Sequence, residues 1–171
     1  QFDDAIAITK AGYTKFPDRH RLLFMQGVHQ EKSGDIEDCI ATMRQVIEKD
    51  PTNSSAYNYL GYLFAERGEN LDEAERLILK ALELKPGDGF YLDSLGWVYY
   101  QKGELDKAEK FLQQALEKNP NEGVILEHIA DVKLKRADKL GAREYYTRAL
   151  NGNLEKRDRG RIEEKLKKLD S

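Results

Sequence analysis

Small residues recur along this chain at a period close to 34 residues, and each lies inside a helical pattern. One series is Gly27, Gly61, Gly96 and Ala130, a second is Ala5, Cys39, Ala74, Ala108 and Ala142, and prolines keep the same step at Pro17, Pro51, Pro86 and Pro120. A fixed period of this length predicts a stack of similar helical hairpins, each packed only on its neighbours. Such a stack builds an extended surface more readily than an enclosed catalytic pocket.

The third unit shows how the pattern becomes structure. Residues 90–102 and 105–118 each place apolar side chains at helical spacing, and Gly103 separates them. Glycine ends a helix without strain because it enters the left-handed conformation freely. Pro120 then ends the second helix, since the residue before a proline is pushed out of helical geometry. The small residues of the first two series let crossing helices approach closely. We therefore expect them to be packing residues.

The register divides the chain into repeating units, with one extra residue in the second unit, most simply Asn70. We predict a second helix without its first at 1–19, repeats at 20–53, 54–88 and 89–122, a divergent repeat at 123–153, and a polar-faced capping helix at 154–171. The half-repeat at the amino end indicates a fragment of a longer protein. The capping helix carries Ile162, Leu166 and Leu169 on one stripe amid charges.

At these positions the pattern resembles the tetratricopeptide repeat. In the third unit the matching residues are Leu95, Gly96, Tyr99, Ala108, Ala115 and Pro120, and in the second they are Tyr57, Leu60, Gly61, Phe64, Ala74, Ala81 and Pro86. The resemblance implies an all-α, right-handed superhelical solenoid of about ten helices. The fourth unit departs from the pattern, with Ala137 in place of the turn glycine and Leu154 in place of the closing proline.

The resemblance also implies that a partner binds on the concave face, which the first helix of each unit lines. By register, the predicted groove residues are Phe24, Val28, Asn58, Tyr62, Phe90, Asp93, Trp97, Tyr100, Glu127 and Asp131. Aromatic side chains are favoured anchors in protein interfaces. Two alternatives remain open: Trp97 and Tyr100 pack on neighbouring helices, and the three carboxylates form a solvated face.

The predicted groove differs from that of the family's co-chaperones, which grip the acidic tail of heat-shock proteins with lysine, asparagine and arginine. The corresponding positions here hold Phe24, Val28, Tyr62 and Asp93, and only Asn58 is reminiscent of that clamp. We therefore predict no heat-shock-protein tail clamp. An acidic and aromatic groove suits an extended or helical protein segment with apolar and basic side chains.

Charge and composition exclude several classes. The net charge is −3, which argues against a strongly basic nucleic-acid binder, although residues 131–171 carry +5 against −8 for residues 1–130. The single cysteine, Cys39, replaces an alanine and is expected to be a small buried side chain. No phosphate-cradling glycine loop, no histidine with ligand-spaced partners and no membrane-spanning apolar run occurs, so we predict no cofactor, no metal and no transmembrane segment.

These features favour a non-enzymatic scaffold that binds a partner polypeptide. The alternative is a structural spacer or self-association module of a larger protein, which the apolar stripe of Phe2, Ile6 and Ile8 in the half-repeat suggests. The segment from Asp93 to Pro120 is similar to bacterial members of the family, which often serve in cell-envelope assembly. The compartment and the identity of the partner stay open.

Overall fold

A computed structural model of the chain describes residues 2–170. Within that range the protein has ten helices and no β-sheet. In chain order they are α1 (Phe2–Lys15), α2 (His20–Ser33), α3 (Ile36–Lys49), α4 (Ser54–Arg67), α5 (Leu71–Leu84), α6 (Gly89–Lys102), α7 (Leu105–Lys118), α8 (Gly123–Lys135), α9 (Lys139–Leu150) and α10 (Lys156–Asp170). The predicted all-α solenoid of about ten helices is confirmed.

The helices form consecutive antiparallel hairpins. The pairs α2–α3, α4–α5, α6–α7 and α8–α9 pack along their lengths, and each second helix also contacts the first helix of the next pair. At the ends, α1 packs on α2 and α10 packs on α9. The first helices of neighbouring units also contact each other: α4 contacts α6, and α6 contacts α8. These first helices therefore share one face of the stack.

Glycines allow the close approach within the hairpins. A Cβ added at Gly61 would lie 2.6 Å from Cγ1 of Ile78, and one added at Gly96 would lie 2.6 Å from Cγ of Leu112. Real Cβ atoms do not come so close to another carbon, because the repulsion is steep at that distance. The prediction that these glycines serve packing is confirmed.

The turns inside three hairpins use glycine in the left-handed conformation, at Gly34, Gly68 and Gly103. In the fourth, Ala137 takes the same conformation with φ of 63°. A Cβ makes this conformation unfavourable by about 1–2 kcal/mol. The divergent unit therefore keeps the hairpin geometry despite an unfavourable residue.

The apolar interior runs the length of the stack. A main cluster joins α3 to α8, with Phe64, Ile78 and Leu112 among its fully buried members. A second cluster joins α8, α9 and α10, where Ile162 is fully buried and Leu166 and Leu169 pack against it. The predicted apolar stripe of α10 is thus confirmed. Cys39 is also buried, and burial raises the pKa of its thiol to about 12, so the thiol stays protonated.

Candidate functional site

Two rows of side chains run across the first helices at a constant register. We call the first row Phe24, Asn58, Asp93, Glu127 and Arg161, and the second row Val28, Tyr62, Trp97, Asp131 and Lys165. Each step is 34 or 35 residues, so consecutive members occupy equivalent positions on α2, α4, α6, α8 and α10. Along both rows the side chains change from neutral, through acidic, to basic. The two ends of this face therefore have different chemistry.

At the carboxy-terminal end, α10 brings cations against the carboxylates of α8. Glu127 is fully buried and accepts hydrogen bonds from Arg161 Nε at 2.8 Å and Lys165 Nζ at 2.7 Å. Asp131 accepts from Lys165 Nζ at 2.7 Å and also from the hydroxyl of Tyr146. Asp158 adds a contact to Arg161 at 3.1 Å. Every buried carboxylate in this group thus has a charged or hydroxyl donor, as buried charges require.

The pairing decides the ionisation of the group. Burial alone raises the pKa of the Glu127 carboxyl, but hydrogen bonds from Arg161 and Lys165 outweigh it and hold the pKa below its ordinary value. Burial lowers the pKa of Lys165, yet Asp131 and Glu127 leave the net pKa raised. Each group is therefore charged at neutral pH. The alternative of a solvated face is wrong for Glu127 and Asp131, because both are buried and paired with side chains of α10.

A stacked aromatic column lies next to this ionic cluster. Trp97 stacks on Tyr100 at 4.6 Å and on His128 at 4.2 Å between ring centroids. Nδ1 of His128 hydrogen-bonds Oδ1 of Asp93 at 2.8 Å, and both residues are buried. Lys135 closes the other end of the column, with Nζ 4.2 Å from the ring centre of Tyr100. The alternative prediction that Trp97 and Tyr100 pack on neighbouring side chains agrees with these contacts, and Trp97 is half-buried.

Burial and neighbouring carboxylates act in opposite directions on the pKa of His128. Burial lowers the pKa of its imidazole, while Asp93, then Asp131 and Glu127, raise it, and the net pKa lies above its ordinary value. Asp93 is also buried, so it is an internal partner of His128 and not a solvated carboxylate. The aromatic column and the ionic cluster together make the carboxy-terminal half of the face a packed structure.

The amino-terminal half of the face holds an open cavity of about 660 Å³. Its lining comes from α2, α3, α4, α8 and α10, and consists of Val28, Glu31, Lys32, Ile36, Tyr59, Tyr62, Leu63, Glu66, Arg67, Val124, Arg157, Asp158 and Arg161. Of the ten predicted groove residues, Val28 and Tyr62 line this cavity. Its volume falls in the range of ligand and peptide pockets.

The cavity joins apolar and aromatic side chains to carboxylates and to cationic side chains. Glu31 accepts a hydrogen bond from the Tyr59 hydroxyl at 3.3 Å, and Glu66 lies beside Tyr62. Burial first, and then these carboxylates, raise the pKa of both tyrosine hydroxyls, which stay protonated. Within residues 2–170 neither Glu31 nor Glu66 forms an ion pair, whereas Arg67 pairs with Glu69.

The other predicted groove residues have varied surroundings. Phe24 meets Tyr59 edge to face at 5.6 Å, while Phe90 is 51% exposed. The side-chain oxygen of Asn58 and Nε1 of Trp97 are buried without a hydrogen-bond partner in the described part of the chain. Binding of a partner by any of the ten residues stays a prediction.

Sequence reasoning missed the contribution of α10 to this face. Arg161 and Lys165 stand 34 residues after Glu127 and Asp131, so the register itself contained the signal. Because the sequence analysis treated this helix only as an end cap, it did not include Arg161 and Lys165 among the residues of the face. Tyr59 was missed as well, because the equivalent positions hold Ser94 and His128 and no repeated residue type marks them in the sequence.

Comparisons with known proteins identify the family. The tetratricopeptide repeat family matches residues 24–89 and again residues 89–122. The chain is 37% identical over 105 residues to the TPR repeat-containing protein PA4667 of Pseudomonas aeruginosa, a match that covers 61% of this chain and 18% of that protein. The chain belongs to the tetratricopeptide repeat family. It spans less than a fifth of the length of this relative.

Solved structures share the fold at low sequence identity. The thermophilic TPR protein TTC0263 of Thermus thermophilus has a TM-score of 0.83 at 21% identity, covering 98% of this chain and 90% of that one. MamA of Desulfovibrio magneticus RS-1 has a TM-score of 0.73 at 18% identity, with coverage of 88% and 84%. A chain of the APC/C hetero-tetramer Cut9–Hcn1 has a TM-score of 0.79 at 19% identity, with coverage of 88% of this chain and 28% of that one. These likenesses show the superhelical repeat fold.

Two further properties of residues 2–170 bear on function. No group of three or more histidine, cysteine or carboxylate side chains there could hold a metal ion. None of the helices in that range combines the length and the apolar character needed to cross a bilayer. The fold is that of a protein-interaction scaffold, built of repeats that share one continuous face.

Proposed function

We propose that this chain is a non-enzymatic scaffold that holds a segment of a partner polypeptide in the concave groove. The observation that carries the proposal is the open cavity on α2 and α4, where Tyr59 and Tyr62 stand beside Val28 and Leu63. Aromatic side chains with a polar tip are favoured anchors for protein partners. One structural neighbour is a chain of a hetero-tetramer, Cut9–Hcn1.

The partner that fits this cavity is a protein segment with apolar and basic side chains. The aromatic and aliphatic side chains accept an apolar residue. Glu31 and Glu66 form no ion pair among residues 2–170 and can receive a cation, while Lys32, Arg67, Arg157 and Arg161 also line the cavity. An acidic tail of the heat-shock type would instead meet these two carboxylates. The cavity is thus consistent with the predicted partner, and nucleic acid is not the partner we propose.

Replacement of two cavity residues tests the function. In Val28→Asp with Tyr62→Ala, the apolar surface of the cavity becomes charged and loses its anchor. We expect the double variant to lose the partners that the native chain retains from a lysate of its source, as measured by quantitative mass spectrometry. Leu79→Ala is the matched control, because Leu79 is 44% exposed and lies outside the cavity. Equal retention by all three proteins, with helicity unchanged in circular dichroism, would refute the groove.

Self-association is a second candidate, favoured by exposed apolar residues on α1 and directly after it. Phe2, Ile8 and Phe16 are 43%, 71% and 47% exposed. In later hairpins the position of Ile8 is taken by Leu77 or Phe111, which pack against the core. Two copies could cover these faces mutually. We expect sedimentation equilibrium to show a dimer that Ile8→Lys converts to monomer, and a native monomer at the highest soluble concentration would reject this candidate.

A further inference from the structure

The turn between α8 and α9 has a different surface from the turns inside the other hairpins. We call residues 134–140 the α8–α9 tip, and all seven of them are exposed. Two of the seven are leucines: Leu134 is 36% exposed, and Leu140 is 81% exposed, the highest value among the large hydrophobic residues of the described chain. The tip therefore concentrates apolar side chains at a point of the surface that nothing in residues 2–170 covers.

The exposure of Leu140 follows from a shift of one position in the sequence. In the three preceding hairpins the second helix begins with a half-buried apolar residue, and the residue after it is acidic. These pairs are Ile36–Glu37, Leu71–Asp72 and Leu105–Asp106. In α9 the order is Lys139–Leu140, so the apolar side chain lies about 100° further round the helix and outside the hairpin interior.

The charge around the tip is opposite to that of the earlier turns. Residues 134–143 contain four cations and one carboxylate, a net charge of +3. The equivalent residues 31–40, 65–75 and 100–109 have net charges of −3, −4 and −1. The reversal is thus confined to the hairpin that also exposes its leucines, and it favours an anionic partner there.

Two lysines of the tip have no carboxylate partner in the described part of the chain. Lys139 makes no ion pair there, and Nζ of Lys135 contacts the carbonyl oxygen and the ring of Tyr100. Arg136 is different, because it pairs with carboxylates of α7. The charges of Lys135 and Lys139 are therefore available to an anion outside the chain.

The junction beside the tip adds positive charge. Lys133 of α8 pairs with Glu109 of α7, with 2.7 Å between Nζ and Oε1. One repeat later the equivalent positions hold Lys167 of α10 and Arg143 of α9, which are both cationic. Because a like-charged pair of residues replaces an ion pair, this corner of the molecule has a positive potential.

We propose that the α8–α9 tip is a docking surface for an anionic lipid bilayer. Leu134 and Leu140 enter the boundary between headgroups and acyl chains, and Lys135 and Lys139 contact lipid phosphates. A bilayer suits an exposed turn better than a folded acidic protein does, because lipids close around both leucines, whereas a protein would need a matching pocket. None of residues 134–140 lines the open cavity, so this surface is additional to the proposed scaffold function.

Vesicle flotation of the whole chain tests the docking surface. The probes are vesicles of phosphatidylcholine alone and vesicles in which about a third of the lipid is phosphatidylglycerol. We expect partition onto the anionic vesicles, weakened by salt, and none onto the neutral ones. Lys135→Gln with Lys139→Gln should weaken partition about 25-fold, because each cation near an anionic surface contributes about fivefold. Lys10→Gln with Lys49→Gln, at exposed positions on α1 and α3, is the control with the same net charge.

A polarity-sensitive label reports whether Leu140 enters the bilayer. Cys39 is fully buried, so Leu140→Cys offers one accessible thiol to a nitrobenzoxadiazole label. We expect the emission of this label to shift to the blue on anionic vesicles, whereas the same label on Leu79→Cys, an exposed position of α5, should not shift. Leu140→Ser should weaken partition about tenfold, since one leucine then stays out of the bilayer, and Leu79→Ser should leave it unchanged.

Several outcomes would overturn the docking surface. Equal losses in the tip variant and in the control with the same net charge would show that the attraction has no specific location. Unshifted emission from position 140 on bound vesicles would show contact by charge alone, which an acidic protein provides equally well. Absence of partition onto both kinds of vesicle would reject the surface outright. Because the tip lies outside the cavity, none of these results bears on the proposed scaffold function.

Discussion

The two halves of the concave face use equivalent positions in opposite ways. Around α8 and α10, Glu127 and Asp131 meet Arg161 and Lys165, and the side chains are buried against one another. Around α2 and α4, the same positions hold neutral side chains such as Val28 and Tyr62, and a cavity stays open. Opposite charges one period apart neutralise each other across neighbouring helices. Neutral side chains leave nearby carboxylates available to a partner.

The same contrast appears at the junctions between units. Lys102 of α6 bridges Asp72 and Glu75 of α5, and one period later Arg136 of α8 meets Asp106 of α7. At the earlier junction the position of Glu75 is occupied by Ile40, and Arg67 pairs with its neighbour Glu69. The carboxy-terminal units are therefore joined by ion pairs as well as by apolar contacts. The α3–α4 junction has no ion pair at the equivalent position.

The largest expected effect comes from removing the central carboxylate of the paired half. Glu127→Ala removes the carboxylate that Arg161 and Lys165 share and leaves each cation with one other carboxylate, and we expect the free energy of unfolding to fall by about 2–3 kcal/mol. The matched change in the open half, Glu66→Ala, should cost less than about 0.5 kcal/mol. Urea unfolding followed by circular dichroism measures both free energies. Similar losses in the two variants would show that the two halves of the face do not differ in this way.

An intermediate effect is expected at the helix crossings. Gly96→Ala forces a Cβ to 2.6 Å from Leu112 Cγ and 3.2 Å from the Ala108 carbonyl oxygen, and we expect a net loss of about 1–2 kcal/mol after the gain in helix propensity. Gly27→Ala meets the terminal methyl of Met43 at 2.7 Å, which is flexible and can move. Its stability should be unchanged or slightly higher. Thermal unfolding compares them, and a larger loss at Gly27 would contradict this packing account.

The smallest expected effect is the titration of His128. Because its folded-state pKa is raised above 6.5, its contribution to stability is complete below pH 6.5 and is lost as pH rises through the folded pKa. We expect His128→Gln to flatten this part of the stability profile, while His20→Gln retains it. The fluorescence of the single tryptophan, Trp97, stacked on His128, should titrate over the same range. A profile unaltered by His128→Gln would show that this pair does not titrate there.

Most of the fold could be predicted from the periodic small residues. Gly61 and Gly96 indicate close helix crossings, because no larger side chain fits at either position. The requirement for a small residue is local and recurs at a fixed spacing, so the sequence shows it. Helix ends followed from glycine turns in the same way. The candidate site was less accessible, since Trp97 could face a partner or pack internally, and its stacking on His128 depends on a residue 31 positions away.

The sequence by itself determined the repeat, the hairpin order and which positions form the two rows. The tertiary structure decided which members of the rows are buried and ion-paired and which line the open cavity. Arg161 could in principle reach solvent or Glu127, and the packing of Ile162 against α8 and α9 brings it to Glu127. Periodicity determines the face on which a side chain lies, because that is a property of one helix. Whether its charge is neutralised depends on distances between helices, which only the packed stack sets.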